Sequence, residues 1–194
     1  MSDDPNMTRR ATLQSLILPA LAGLAATPAA AQRDARTLIA FLSRSGNTRV
    51  IAGQLQRRFG ADLFEIRTSE PYPADYAETV ARAARERDAA ATPPLAERVA
   101  DIDGYETVFL GFPIWGMALP SPVRTFLATH DLAGKTLVPF ITHGGYGTGS
   151  APQTVAELAP QARIVTPFFV LEADQERATM NRVSAWLETV EPEL

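Results

Sequence analysis

The sequence predicts an α/β domain whose parallel sheet is covered by helices on both faces, and three observations predict it. Short apolar runs, too hydrophobic for a half-exposed sheet, alternate with segments in which apolar residues recur at helical spacing. Segments rich in Ser, Gly, Pro and aromatic residues follow three of those runs, where open parallel sheets hold their ligands. The composition is ordinary for a globular chain: 194 residues, 46% hydrophobic and 21% charged.

The elements follow in order. Thr8-Arg9-Arg10-Ala11-Thr12-Leu13 precedes an apolar stretch from Leu16 to about Ala26, which ends in Pro28-Ala29-Ala30-Ala31. A positive start, a short apolar run and an A-x-A-like end are the parts of an export signal. The paired arginines resemble a twin-arginine signal, although Thr12 stands where a bulkier apolar residue is usual; the other reading is an ordinary secretory signal. Residues 1–31 are thus expected to be a cleavable export segment and 32–194 the mature domain, located in the periplasm. Pro19 and Gly23 interrupt the run, which is too short to span a bilayer, so no permanent membrane anchor is expected.

The first strand is expected over 37–42, followed by a helix carrying Val50, Ile51, Leu55 and Phe59 and stopped by Gly60. Ala61 to Arg67 reads as an edge strand, and Ala74 to Ala90 as a helix. The charges of that helix at Glu78, Arg82, Arg85 and Glu86 read as a solvated face with local pairing. Glu106 to Phe112 is a second buried strand, and Ser121-Pro122 is expected to cap a short helix. Thr136 to Thr142 is the third buried strand, with Pro139 predicting a bulge. Ser150 to Leu158 is helical, Ile164 to Val170 the last strand, and a final helix from about Asp174 buries Val183, Leu187 and Val190 with Trp186 near its edge. Five strands result.

Composition excludes several chemistries. The chain has no cysteine, which removes disulfides, thiolate metal sites and cysteine nucleophiles. His130 and His143 are its two histidines, too few for a multi-histidine metal centre. Net charge is −4 and Lys135 is the single lysine, so nothing points to nucleic acid. A ligand would be held mainly by backbone, hydroxyl and aromatic groups.

Ser43-Arg44-Ser45-Gly46-Asn47-Thr48 lies between a strand and a helix. Unpaired N–H groups at the helix start suit a phosphate, and the hydroxyls add donors without charge. Neither a Walker loop nor G-x-G-x-x-G is present, so a phosphate monoester fits better than a pyrophosphate. A hydroxyl-rich helix cap is the alternative. This loop resembles the T-x-T-G-x-T FMN-phosphate loop of flavodoxins, with Ser replacing two of the threonines. Gly111-Phe112-Pro113-Ile114-Trp115-Gly116 falls where that family places its second flavin loop. Leu119-Pro120-Ser121-Pro122-Val123-Arg124-Thr125-Phe126-Leu127, Tyr72-Pro73-Ala74-Asp75-Tyr76 and Thr142-His143-Gly144-Gly145 are similar to a bacterial subfamily. The resemblance covers 37–190 and implies a short-chain, three-layer flavodoxin-like fold with strand order 2-1-3-4-5.

The resemblance also implies FMN as cofactor and no metal. Its contacts would come from Ser43, Arg44, Ser45, Gly46, Asn47 and Thr48; from Pro113, Ile114, Trp115 and Gly116; and from Thr142, His143, Gly144, Gly145, Tyr146 and Gly147. Trp115 would stack on the flavin ring, its alternative being a core tryptophan. Gly116 would allow the following peptide to rotate on reduction, although a second Trp is common there. Tyr146 would cover the other flavin face or belong to a mobile glycine loop. His143 and His130 are expected to be structural or surface residues, and no catalytic side chain is expected.

Two redox roles follow. An electron-transfer protein is the expected one, and an FMN-dependent NAD(P)H or quinone oxidoreductase the alternative. Residues 113–122 and 142–150 contain no Asp or Glu and Arg44 lies nearby, which predicts a less negative final potential than in low-potential carriers. A binding protein without tight flavin is a third reading, opposed by the Ser/Gly/Thr loop and Trp115. The expected partner is a redox protein or a quinone, and the expected state a monomer or weak dimer.

Overall fold

The computed structural model describes residues 36–171 and 176–194. The export segment expected at 1–31 lies outside the described residues, as does the expected start of the final helix at Asp174. Among the described residues no helix is long and apolar enough to cross a membrane.

The chain alternates β1 (Arg36–Phe41), α1 (Asn47–Phe59), β2 (Asp62–Glu65), α2 (Tyr76–Asp88), β3 (Tyr105–Pro113), α3 (Ser121–Thr129), β4 (Thr136–His143) and α4 (Ala151–Leu158). It finishes with β5 (Arg163–Ile164), β6 (Phe168–Leu171) and α5 (Glu176–Val190). The strands pair in parallel in the order β2-β1-β3-β4-β5, with β6 also on β4. This is the α/β, flavodoxin-like order 2-1-3-4-5, with one correction. The expected fifth strand over 164–170 is two short strands, because after Val165, whose N–H still bonds β4, the chain passes Thr166-Pro167 without pairing.

That break explains Pro139. The Leu137 carbonyl accepts from Val165 N at 2.9 Å, whereas the Thr142 carbonyl accepts from Ile114 N at 2.9 Å, so odd positions of β4 face β5 and β6 and even ones face β3. Pro139 therefore turns its donorless nitrogen toward the gap between β5 and β6, where no ladder bond is missed. The expected bulge is absent: β4 keeps continuous register with β3 from Thr107↔Thr136 to Pro113↔Thr142.

Side-chain alternation along the strands divides the core into two. Leu38, Ala40, Leu110, Phe112 and Ile141 pack against Val123 and Phe126 of α3 and Val155 of α4. On the other face Ile39, Phe41, Phe109 and Phe140 pack against Ile51 and Leu55 of α1 and Val183 and Leu187 of α5. Trp186 is no edge residue: it is buried, stacked on Phe168 at 4.8 Å and edge-on to Phe109 at 6.2 Å. Gly111, paired between Phe41 and Phe140, leaves the space that the Phe140 ring fills.

Helix ends mostly follow the sequence. Gly60 closes α1 in the left-handed region at φ 60°. α2 begins at Asp75, whose carboxylate accepts from Glu78 N at 2.9 Å. α3 has Pro in its first turn as expected, but Pro120 is the capping position and Ser121 makes no side-chain cap. The charged face of α2 is partly turned inward. Arg82 and Glu86, with side chains only 15% and 13% exposed, pair at 2.8 Å and enclose Tyr72.

Candidate functional site

The three loops singled out in the sequence gather at the carboxyl ends of β1, β3 and β4, around a cleft of about 650 Å³. β1 delivers the first. Gly46, at φ 98°, turns the chain into α1 as its capping residue, with no side-chain cap bond and no acidic residue in the first turn. The helix thus presents backbone N–H groups and a positive dipole end without a carboxylate to neutralise them. A Cβ built on Gly46 would meet nothing within 4 Å, so the glycine is required by its backbone angle and the space before the helix is open. The Ser43 hydroxyl accepts from Arg49 N at 3.3 Å and closes the loop on the helix.

Not every expected contact faces the cleft. Thr48 and Thr142, 1% and 0% exposed, lie beneath it with their hydroxyls 3.0 Å apart, and this pair ties the start of α1 to the end of β4. Arg44 leans toward α2 rather than the start of α1: its guanidinium donates to the Ala74 carbonyl at 3.4 Å and stands 5.2 Å from the Tyr76 ring. Of the expected residues, Arg44, Ser45, Pro113, Ile114, Trp115, Gly116, His143, Gly144, Tyr146 and Gly147 line the cleft. Ser43, Gly46, Asn47, Thr48, Thr142 and Gly145 do not; they shape the loops behind it.

The second loop is a tight reversal. Trp115 and Ala118 exchange backbone bonds at 3.1 and 3.3 Å, and Gly116 and Met117 between them have φ of 55° and 60°. Two successive positive φ values make a type I′ turn, in which Met117 occupies a region costly for a non-glycine residue. The turn holds Trp115 half-buried in the cleft wall, its ring edge-on to Tyr72 at 5.0 Å. Tyr72 is fixed in turn. Its hydroxyl donates to Glu86, and Arg82 lies over its ring at 4.3 Å. Burial first, and then the Glu86 hydrogen bond, push the Tyr72 phenol far above its ordinary range, so it stays a donor.

The third loop rests on the second. Ser150 N donates to the Met117 carbonyl at 3.1 Å, and Gly149 packs so closely that a Cβ would lie 1.9 Å from that oxygen. His143 Nδ1 accepts from Gly145 N at 3.2 Å, a bond that shapes the loop. Tyr146, 87% exposed, stands at the rim with its ring free to solvent. No Asp or Glu is among the residues lining the cleft. Two lining residues, Tyr76 and Met117, escaped the sequence reading, although Tyr76 closes the Tyr72-Pro73-Ala74-Asp75-Tyr76 segment that reading had singled out.

The flavodoxin family pattern matches residues 36–190, the whole of the described sheet and its helices. The chain belongs to the flavodoxin family. FMN, implied by the sequence resemblance, is this family's cofactor. Among solved structures, the chain is similar to a protein of Bacteroides eggerthii assigned as a flavoprotein, with 28% identity, TM-score 0.69, and coverage of 81% of this chain and 99% of that one. A Lactobacillus acidophilus flavoprotein, solved in complex with FMN, is 20% identical with TM-score 0.63, covering 78% and 99% of the two chains. Oxidised flavodoxin 2 of Bacillus cereus is 22% identical with TM-score 0.51, covering 82% and 100%. The last two likenesses are ones of fold. No curated protein matches the chain.

The donor set fits the flavodoxin cofactor. A helix start that opens on Gly46 with no acidic residue in its first turn suits a phosphate, and a carboxylate-free cleft walled by Trp115 suits a flat ring. The cleft volume also lies within the usual range for small-molecule sites, roughly 300–1,000 Å³.

Proposed function

We propose that this flavodoxin is an exported, FMN-binding electron-transfer protein. One observation carries the reading: loops from the ends of β1, β3 and β4 meet around one cleft, with Ser45, just before the start of α1, at one side, Trp115 in its wall and no carboxylate among its lining residues. FMN supplies the electron chemistry. The chain supplies the rest. N–H groups at the start of α1, with the Ser43 and Ser45 hydroxyls, receive the phosphate, and Trp115 presents a flat face for ring stacking. The glycines of 144–149 let backbone N–H groups come close to the ring edge, and Tyr146 stands where it can fold over the outer face.

The carboxylate-free lining favours a second reading, an FMN-dependent NAD(P)H or quinone oxidoreductase. Without nearby negative charge, a second electron on the ring meets less opposition. Export through the twin-arginine route to the periplasm supports loading with cofactor before translocation, and the partner is then a redox protein or a quinone met outside the cytoplasm. The folded domain acts as a monomer or weak dimer.

Absorption spectroscopy of the purified full chain, with and without added FMN, tests the proposal. A bound-flavin spectrum is expected, and the Trp115→Ala variant should bind FMN about ten- to a hundredfold more weakly, since aromatic stacking contributes roughly 1–3 kcal/mol per ring. Stepwise anaerobic photoreduction then separates the roles: two resolved one-electron steps identify the carrier, and a single two-electron step the reductase. If no flavin binds even after FMN is added, both redox readings fail.

A further inference from the structure

We infer that the second, larger cavity beside the cleft, about 730 Å³ and sharing Trp115 and Arg44 with it, is a binding site for a quinone. The inference rests on the FMN reading of the neighbouring cleft, and it names the class of small molecule that would exchange electrons there. The cavity lies at the carboxyl ends of β1 and β2. Its far wall is a segment that takes no part in the three loops.

Residues 68–97 leave β2, form α2 and return as a strap. The strap is fastened by Ser69 N to the Pro94 carbonyl at 2.9 Å, Ala96 N to the Arg67 carbonyl at 2.8 Å, and the Thr125 hydroxyl to the Pro93 carbonyl at 3.0 Å. Tyr72, held by Glu86 and Arg82, is locked into this wall. The cavity is therefore built by specific bonds rather than left between loosely packed loops, as a preformed ligand site is.

Its chemistry selects the occupant. Leu42, Ile66, Pro71, Tyr72, Trp115 and Pro122 make a wall that is mostly apolar and partly aromatic, suited to an uncharged flat ring. Donors are few: Thr68 and Ser69 spend their hydroxyls on the Glu70 and Pro94 carbonyls, which leaves the guanidiniums of Arg44 and Arg67 to match carbonyl oxygens at the ring edge. A nicotinamide dinucleotide fits poorly. No lining residue is a glycine, so no backbone cradle exists for a pyrophosphate, and Glu65 and Glu97 in the wall oppose its charge. Trp115 in both linings puts a ring held here next to one stacked in the cleft.

Menadione, a neutral naphthoquinone, is the probe, titrated calorimetrically into the oxidised, FMN-loaded full chain so that no electrons move. Saturable binding is expected, unaffected by excess FMN. Ala96→Trp, which fills the cavity from the strap, should weaken it about tenfold or more, and Arg67→Ala should weaken it less. FMN affinity, set by other loops, reports in each variant that the fold is intact. Competition between menadione and FMN would overturn the inference, as would full binding to Ala96→Trp or no saturable binding to the flavin-loaded protein. A chain that takes up no FMN would instead bring down the reading of the cleft.

Discussion

Gly111 is a strand glycine whose missing side chain is a structural requirement. A Cβ there would lie 2.1 Å from Cζ of Phe140, whose ring is fully buried between β3 and α1. Gly111→Ala must therefore push a core ring aside, and overpacking of this kind costs about 1–3 kcal/mol. A urea denaturation midpoint clearly below wild type is the expected result; an unchanged midpoint would mean that Phe140 can move at no cost. At this scale the sequence was informative about residue type and poor about direction. Trp115, His143 and the glycines of 144–149 stand in the cleft region their neighbours suggested. Arg44 lines the cleft from the loop before α1, and its side chain leans toward Ala74 and Tyr76, a direction that its place in a motif does not set.

Elements meet through single bonds whose removal has a calculable sign. The Thr48 and Thr142 hydroxyls are each other's buried partners, one at the first turn of α1 and the other at the end of β4. Thr48→Val keeps the shape and strands the Thr142 hydroxyl, at a cost of about 1–3 kcal/mol, whereas the double variant with Thr142→Val removes both partners and should recover much of that loss. A double-mutant cycle on unfolding free energies reads the coupling directly; additive losses would show that the bond holds nothing. The pair was legible only as two threonines in two loops, since burial depends on how α1 lies over β4. The break between β5 and β6 was hidden for a related reason. Apolar residues run on through Val165, Pro167 and Phe168, and periodicity does not register a stretch without pairing. Pro139, a difficulty on its own strand, makes sense only against that neighbour.

For the molecule as a whole, His130 links stability to pH. It is buried against Phe126, its Nδ1 bonded to the Phe126 carbonyl at 2.9 Å and its Nε2 accepting from Val99 N at 3.1 Å. Burial lowers its pKa below the ordinary 6.5, with Arg98 adding to the effect against the opposing Phe126 bond. The unfolded chain then binds the proton more readily than the folded one, so this contribution is present above about pH 6.5 and is lost as pH falls toward the lowered value. The denaturation midpoint should drop between about pH 7.5 and 5.5, and His130→Gln should flatten that drop while lowering stability at neutral pH. Equal wild-type midpoints across the window would refute the assignment. The general plan was open to sequence reading because three strands are uninterrupted apolar runs and their loops are rich in Ser, Gly and Pro. The second cavity was not, because it depends on Thr68 meeting Leu95 after a long excursion that composition describes only as a charged helix between prolines. The divided outer strand has one more consequence. Each margin of the sheet is short, four residues in β2 on one side and β5 with β6, two and four residues, on the other. Among the described residues neither offers a long row of unpaired backbone groups, so strand addition by a second chain has little to build on, and crowding at high concentration has little purchase for edge-to-edge aggregation.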